Sequence, residues 1–157
     1  MKILESNVVL VTIAAAISAS AHQSGAGASH EAADIEFLRG YENVRAALAS
    51  DNLGAAKNAA AAIKENENAD ALAKSASLAD AREAFKKLSK RAVHVASDHE
   101  GYFIANCPMV KNGGGNWVQT TGKVSNPYFG KSMLTCGSIK PAKAEEMEKP
   151  AEHHHHD

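Results

Sequence analysis

Ser77-Leu78-Ala79-Asp80-Ala81-Arg82-Glu83-Ala84-Phe85-Lys86-Lys87-Leu88-Ser89-Lys90-Arg91-Ala92-Val93-His94-Val95-Ala96 is the stretch that sets the fold class. Ala81, Phe85, Leu88, Ala92 and Val95 recur at alternating steps of four and three, which places them on one face of a helix, while Arg82, Lys86, Lys87, Lys90 and Arg91 fall largely off it. Upstream, Ile35, Leu38, Tyr41, Val44 and Leu48 repeat that spacing, and Glu31 and Asp34 sit where a helix dipole favours acids. Gly40 weakens this helix without ending it. Ser50 and Asp51 then supply a turn and an N-cap for an Ala-rich helix marked by Leu53, Ala56, Ala60 and Ile63, which ends in the polar run Lys64-Glu65-Asn66-Glu67-Asn68. Asp70 to Ala76 is a short helix or a single helical turn. Three long helices with short links predict a mainly α chain, an up-down bundle of three or four helices.

The helical period stops after Asp98-His99-Glu100-Gly101. Tyr102-Phe103-Ile104-Ala105 reads as a short strand leading into Cys107, and Trp117-Val118-Gln119-Thr120-Thr121 has strand character. The consecutive glycines Gly113, Gly114 and Gly115 lie between them, so a short β-hairpin fits here. Asn126-Pro127 forces an extended or turn conformation, and Gly130 and Gly137 punctuate the loop that presents Met133 and Cys136. The domain expected over 31–140 is thus a helical body with a small irregular Cys/Met-bearing C-terminal module over 101–140. The Pro-, Lys- and Glu-rich tail over 141–157, ending in His153 to His156 and Asp157, is expected to be disordered.

At the other end, Lys2, an apolar run from Val8 to Ala19 and the small residues Ala19-Ser20-Ala21 form a signal-peptide pattern over 1–21, followed by a flexible leader over 22–30. Cleavage would leave a chain with no membrane span, in a periplasmic or secreted location that permits disulfides. The formal charge is −1 with no basic stripe, so nucleic acid is not an expected partner. No catalytic motif stands out, and an enzyme is not expected.

The chemistry-bearing residues gather in the C-terminal module. Cys107 and Cys136 are the only cysteines, and each has a methionine nearby, Met109 and Met133. Thiolate and thioether sulfur are soft donors that suit Cu(I), so these four residues form the candidate metal set. The competing reading is a Cys107–Cys136 disulfide, the default for a lone pair in an exported domain. It would close a loop of about 30 residues and contribute roughly 3 kcal/mol. A reducible bridge alternating with a metal-loaded form would combine the two. Either methionine taken alone is an ordinary gap filler near aromatic rings. His94 and His99 are accessory candidates, and with the cysteines they would make a Cys2His2 set for zinc as the alternative metal. The terminal histidines could hold Cu(II), Ni(II) or Zn(II) loosely, or represent part of an affinity tag.

Cys107-Pro108-Met109, the Gly-rich turn with Trp117, Asn126-Pro127-Tyr128-Phe129-Gly130 and Met133-Leu134-Thr135-Cys136-Gly137 together resemble a bacterial family of periplasmic domains of unknown function. That family occurs alone or fused to adaptor subunits of heavy-metal efflux pumps, particularly copper and silver exporters. The resemblance spans roughly Ile35 to Ile139 and includes Tyr41 to Ala49, Asp51-Asn52-Leu53 and Phe85-Lys86-Lys87-Leu88-Ser89. It implies a helical domain with a sulfur-bearing corner that serves copper or a related metal, with an efflux adaptor or a metallochaperone as partner. The expectation is a soft-metal binding protein of metal homeostasis; the alternative is a disulfide-stabilised helical interaction module without metal.

Overall fold

The computed structural model describes residues 25–143 except 112, with the backbone alone described for 25–27. The signal-peptide pattern over 1–21 and the terminal histidines lie outside the described residues. The chain is mainly α: among the described residues four helices, α1 (Gly25–Ala49), α2 (Leu53–Ala61), α3 (Glu67–Ala73) and α4 (Leu78–Ala96), precede a small antiparallel sheet. Among the described residues no helix is long and apolar enough to cross a membrane.

Three expectations about the helices change. First, α1 begins at Gly25, inside the stretch expected to be a flexible leader. Ala and Ser cost a helix little, so a helix nucleated by its buried half extends through them. Second, Asn52 rather than Asp51 caps α2: its side chain accepts the Ala55 N–H at 3.0 Å, while Asp51 turns the chain with φ of 57°. Third, α2 stops at Ala61, and the polar run becomes a start signal. Glu65 adopts φ of 53°, and the Asn66 side chain accepts from the N–H groups of Asn68 and Ala69 to open α3. The expected Ser77–Ala96 helix matches α4, with Ser77 as its cap.

Each helix packs on the next, and α1 closes onto α4. Leu38, Tyr41, Val44 and Leu48 from α1 share one core with Ala81, Phe85, Leu88 and Ala92 from α4, all residues that the spacing marks, and Phe37, which it does not mark, joins them. Ile35, expected on that stripe, is exposed. Alanines from α2 fill the third side and let the backbones approach. A side chain at Gly40 would press into Ile63 at 2.8 Å, so this glycine serves close packing.

The sheet has the order β2-β1-β3, with β1 (Phe103–Cys107), β2 (Gly115–Gln119) and β3 (Ser138–Pro141). The β1–β2 hairpin pairs Ala105 with Trp117 and Cys107 with Gly115. The third strand lies partly in the tail expected to be disordered: Ile139 pairs with Ala105 and Pro141 with Phe103. Pro141 is tolerated because β3 is an edge strand.

An aromatic column joins the sheet to the helices. Tyr41 stacks on Phe85 at 5.0 Å between centroids, Phe85 meets Tyr128 edge-on at 5.7 Å, and Tyr128 meets Trp117 at 6.0 Å. The Tyr128 hydroxyl donates to the Asn116 carbonyl at 2.7 Å, and Ser89 and Tyr41 share a hydrogen bond of the same length. Burial pushes the Tyr128 phenol up to about 12, so it stays neutral and hydrogen-bonded at ordinary pH.

Candidate functional site

The sheet and the loop after it bring the two cysteines together. Cys107 ends β1 and is fully buried, pointing into the core cluster. Cys136 stands on the loop before β3 and is only partly buried. Their Sγ atoms are 3.1 Å apart, in a thiol–thiol hydrogen bond, and both are free thiols. That hydrogen bond, followed by partial burial and the neighbouring thiol, pushes the Cys136 thiol above its usual range.

This convergence over 29 residues of sequence is engineered by the loop. Asn126, fully buried, is its hub. Its side-chain oxygen accepts from the Tyr128 and Phe129 N–H groups at 2.8 and 3.2 Å, and its amide donates to the Cys136 carbonyl at 2.8 Å. Its backbone N–H donates to the Leu134 carbonyl at 2.8 Å. One residue therefore holds both ends of the loop that carries Met133 and Cys136. Gly137 then crosses Trp117 with φ of 137°, where an added Cβ would lie 2.7 Å from the Asn106 carbonyl and 3.0 Å from the indole. Only glycine lets the chain pass this close and still set Cys136 against Cys107.

The helices clamp the loop from below. Arg82 on α4 donates to the Pro127 carbonyl at 2.9 Å and to Asp51 at 2.6 Å, and the other Asp51 oxygen accepts the Lys131 N–H at 3.0 Å. Arg45 on α1, itself buried, is paired with Glu42 and donates to the Ser125 carbonyl at 2.9 Å. Gln119 organises the stretch between: its oxygen accepts from Trp117 Nε1 and the Ser125 N–H, and its amide donates to the carbonyls of Thr121 and Lys123. Sequence reasoning names Asp51 for a turn and N-cap, Asn126 for a bend, Gln119 for a strand and Arg82 for the polar side of α4, but gives none of them this holding role. The signals were present in Asn126-Pro127 and in an arginine one residue from the α4 stripe, but their targets are backbone carbonyls far along the chain.

Met109 and Met133 are both exposed, at 60% and 37% of their surface. Met109 lies in the turn after β1, and Met133 follows the single 3₁₀ turn Gly130–Ser132. The gap-filler reading therefore fails for both, since neither joins the buried core. Each sits on a segment that carries one of the thiols.

The histidines do not join this corner as ligands. His94 is exposed in the last turn of α4, and His99 reaches Asp34 on α1 at 3.9 Å. Among the described residues no three His, Cys, Asp or Glu side chains converge as a metal cluster. A Cys2His2 zinc site is thus not assembled. What remains is a two-thiol pair, one buried and one partly open, with exposed Met109 and Met133 two and three residues away in sequence. Its spacing is short for a bridging metal: zinc–thiolate bonds of about 2.3 Å put two sulfurs roughly 4 Å apart around one ion. Metal entry would require the thiols to part.

Comparison with known protein families, with curated proteins and with solved structures finds no match to this chain.

Proposed function

We propose that this chain is an exported soft-metal binding protein, with Cu(I) as its cargo, in metal homeostasis or efflux. In this reading an up-down helical bundle is the scaffold, and the Cys/Met module is the working part. The observation that carries it is the contact of the Cys107 and Cys136 thiols, whose segments also carry the exposed Met109 and Met133. Two thiolates satisfy Cu(I) without further donors, whereas zinc wants four. Capture would release the thiol protons, and an exposed thioether offers a place for ligand exchange to an acceptor such as an efflux adaptor or a metallochaperone. The proposed role is binding rather than turnover.

A second reading has its own support. The two sulfurs are already in contact at 3.1 Å, so a small approach would close them to a disulfide bond of about 2.05 Å, which supports a disulfide-stabilised helical interaction module. Titration of the reduced protein with Cu(I) against a chromophoric chelator separates the two. Wild type should take one ion tightly, and the Cys107→Ser/Cys136→Ser protein should compete at least about a hundredfold worse. Because both proteins keep the terminal histidines, binding that is equal in the two would assign it elsewhere and leave the cysteines as a structural bridge.

A further inference from the structure

The two thiols differ in what can reach them. Cys107 is fully buried behind the sheet, while Cys136 is partly open on a loop, and the sulfurs are in contact. An external disulfide can therefore meet only one of them, and the other is already placed to finish the reaction. We infer that Cys107 and Cys136 form a directional thiol–disulfide couple in which Cys136 is the entry sulfur, Cys107 is the resolving sulfur, and the bridged state closes the metal site. This inference rests on the reading that the reduced pair takes Cu(I).

The steps balance with an external disulfide as oxidant. Cys136 loses its proton, and its sulfur attacks one sulfur of the external disulfide. That S–S bond breaks, a mixed disulfide forms on Cys136, and the departing thiolate takes up a proton. Cys107 then loses its proton and attacks the Cys136 sulfur, which expels the second external thiolate; that too is protonated. The protein has gone from dithiol to disulfide, and one external disulfide has become two thiols. In reverse, a reducing thiol opens the bridge by attacking the sulfur of Cys136, the only one it can approach.

The neighbourhood sets the rate and the lifetime. Partial burial of Cys136 on its loop limits how fast an external disulfide enters. The hydrogen bond of the pair runs between the two sulfurs themselves, so closing the bridge breaks no contact to another side chain that the pair depends on. That favours a bridge that persists in an oxidising compartment and is opened by a dedicated reductant. Closure also removes both thiolates at once, so metal occupancy would follow the redox state of the pair.

The test uses the reduced, metal-free full-length protein and oxidised glutathione under argon, quenched in acid and mapped by peptide mass spectrometry. Wild type should pass to an internal bridge with the loss of two hydrogens and no accumulated adduct. Cys107→Ser should stop at a glutathione adduct on Cys136, and Cys136→Ser should react at least about tenfold more slowly. Substoichiometric iodoacetamide on the reduced wild type reads the same order without any substitution, and the first label should fall on Cys136. A first label on Cys107, or equal rates for the two single variants, would overturn the directionality. The metal arm is separate: bridged wild type should lose its Cu(I) uptake and recover it on reduction. Equal uptake by bridged and reduced protein would overturn the gate, whereas no uptake by reduced protein would remove the metal reading and leave the exchange result standing.

Discussion

The helices and the sheet-bearing module are held by different chemistry. Between α1 and α4 the contacts are apolar side chains on two matched stripes, with alanines from α2 filling the gap. In the module, buried apolar residues are fewer and the order comes from side chains that bind backbone: Asn126, Gln119, Arg82, Arg45 and Asp51. A packed stripe loses stability in proportion to what is removed, and the loss is shared by the whole domain. A hydrogen-bond hub releases one segment and leaves the rest in place. The thiol pair sits on the second kind of architecture, where a loop can shift without unfolding the body.

The largest effect should come from the place where the two architectures meet. Phe85 stacks on Tyr41 and touches Tyr128 edge-on, so it belongs to the helical stripe and supports the module at once. Phe85→Ala should cost about 3–5 kcal/mol, read by denaturant unfolding. Helical circular dichroism and tryptophan fluorescence, the latter reporting Trp117 in β2, should move together. Separate transitions would break the comparison in the other direction and make the module an independent unit.

A smaller and more local loss is expected at the hub. Asn126→Ala strands the Tyr128 and Phe129 N–H groups and the Cys136 carbonyl, at a cost of about 1–3 kcal/mol. Hydrogen exchange should accelerate over residues 126–137 while the amides of α1 and α4 keep their protection. The Cys136 thiol should also alkylate faster. Uniform acceleration across the chain would mean that the loop and the helices open as one.

The same contrast explains what could be read from the sequence. The α4 stripe was legible because burial of a helix face imposes a period, and Ala81, Phe85, Leu88, Ala92 and Val95 carry it plainly. The start of α3 was missed because Asn66 acts through a two-residue side-chain bond that a polar run disguises. The third strand was missed because Ser138–Pro141 gains its pairing from β1, thirty-odd residues upstream, rather than from its own composition. The cysteine pair was legible as a pair, but not its asymmetry. That Cys107 is buried and Cys136 open follows from which sheet face the loop crosses, and Gly137 permits the crossing without announcing it.

The smallest effect sharpens the comparison at a charged clamp. Asp51 accepts the Lys131 N–H and pairs with Arg82, and those two partners, in that order, hold its carboxyl below the usual carboxylate range. Its folded value lies under its unfolded one, so its contribution is complete above about pH 4 and fades as pH falls through the folded value. Asp51→Asn keeps a side chain that tolerates φ of 57°, removes the charge and replaces one of the two accepting oxygens with an amide donor. The stability difference between wild type and variant should therefore be flat at neutral pH and shrink below about pH 4, as measured by urea unfolding at a series of pH values. Hydrogen exchange at acid pH should show where the loss lies. Protection at Lys131 should fall first in wild type, since its N–H is the bond that the carboxylate strengthens, and α4 should follow only when the whole domain unfolds. A difference that stays constant down to pH 2 would mean that the Arg82 and Lys131 contacts do not depend on the charge, and the clamp would then join the helical core as a matter of shape.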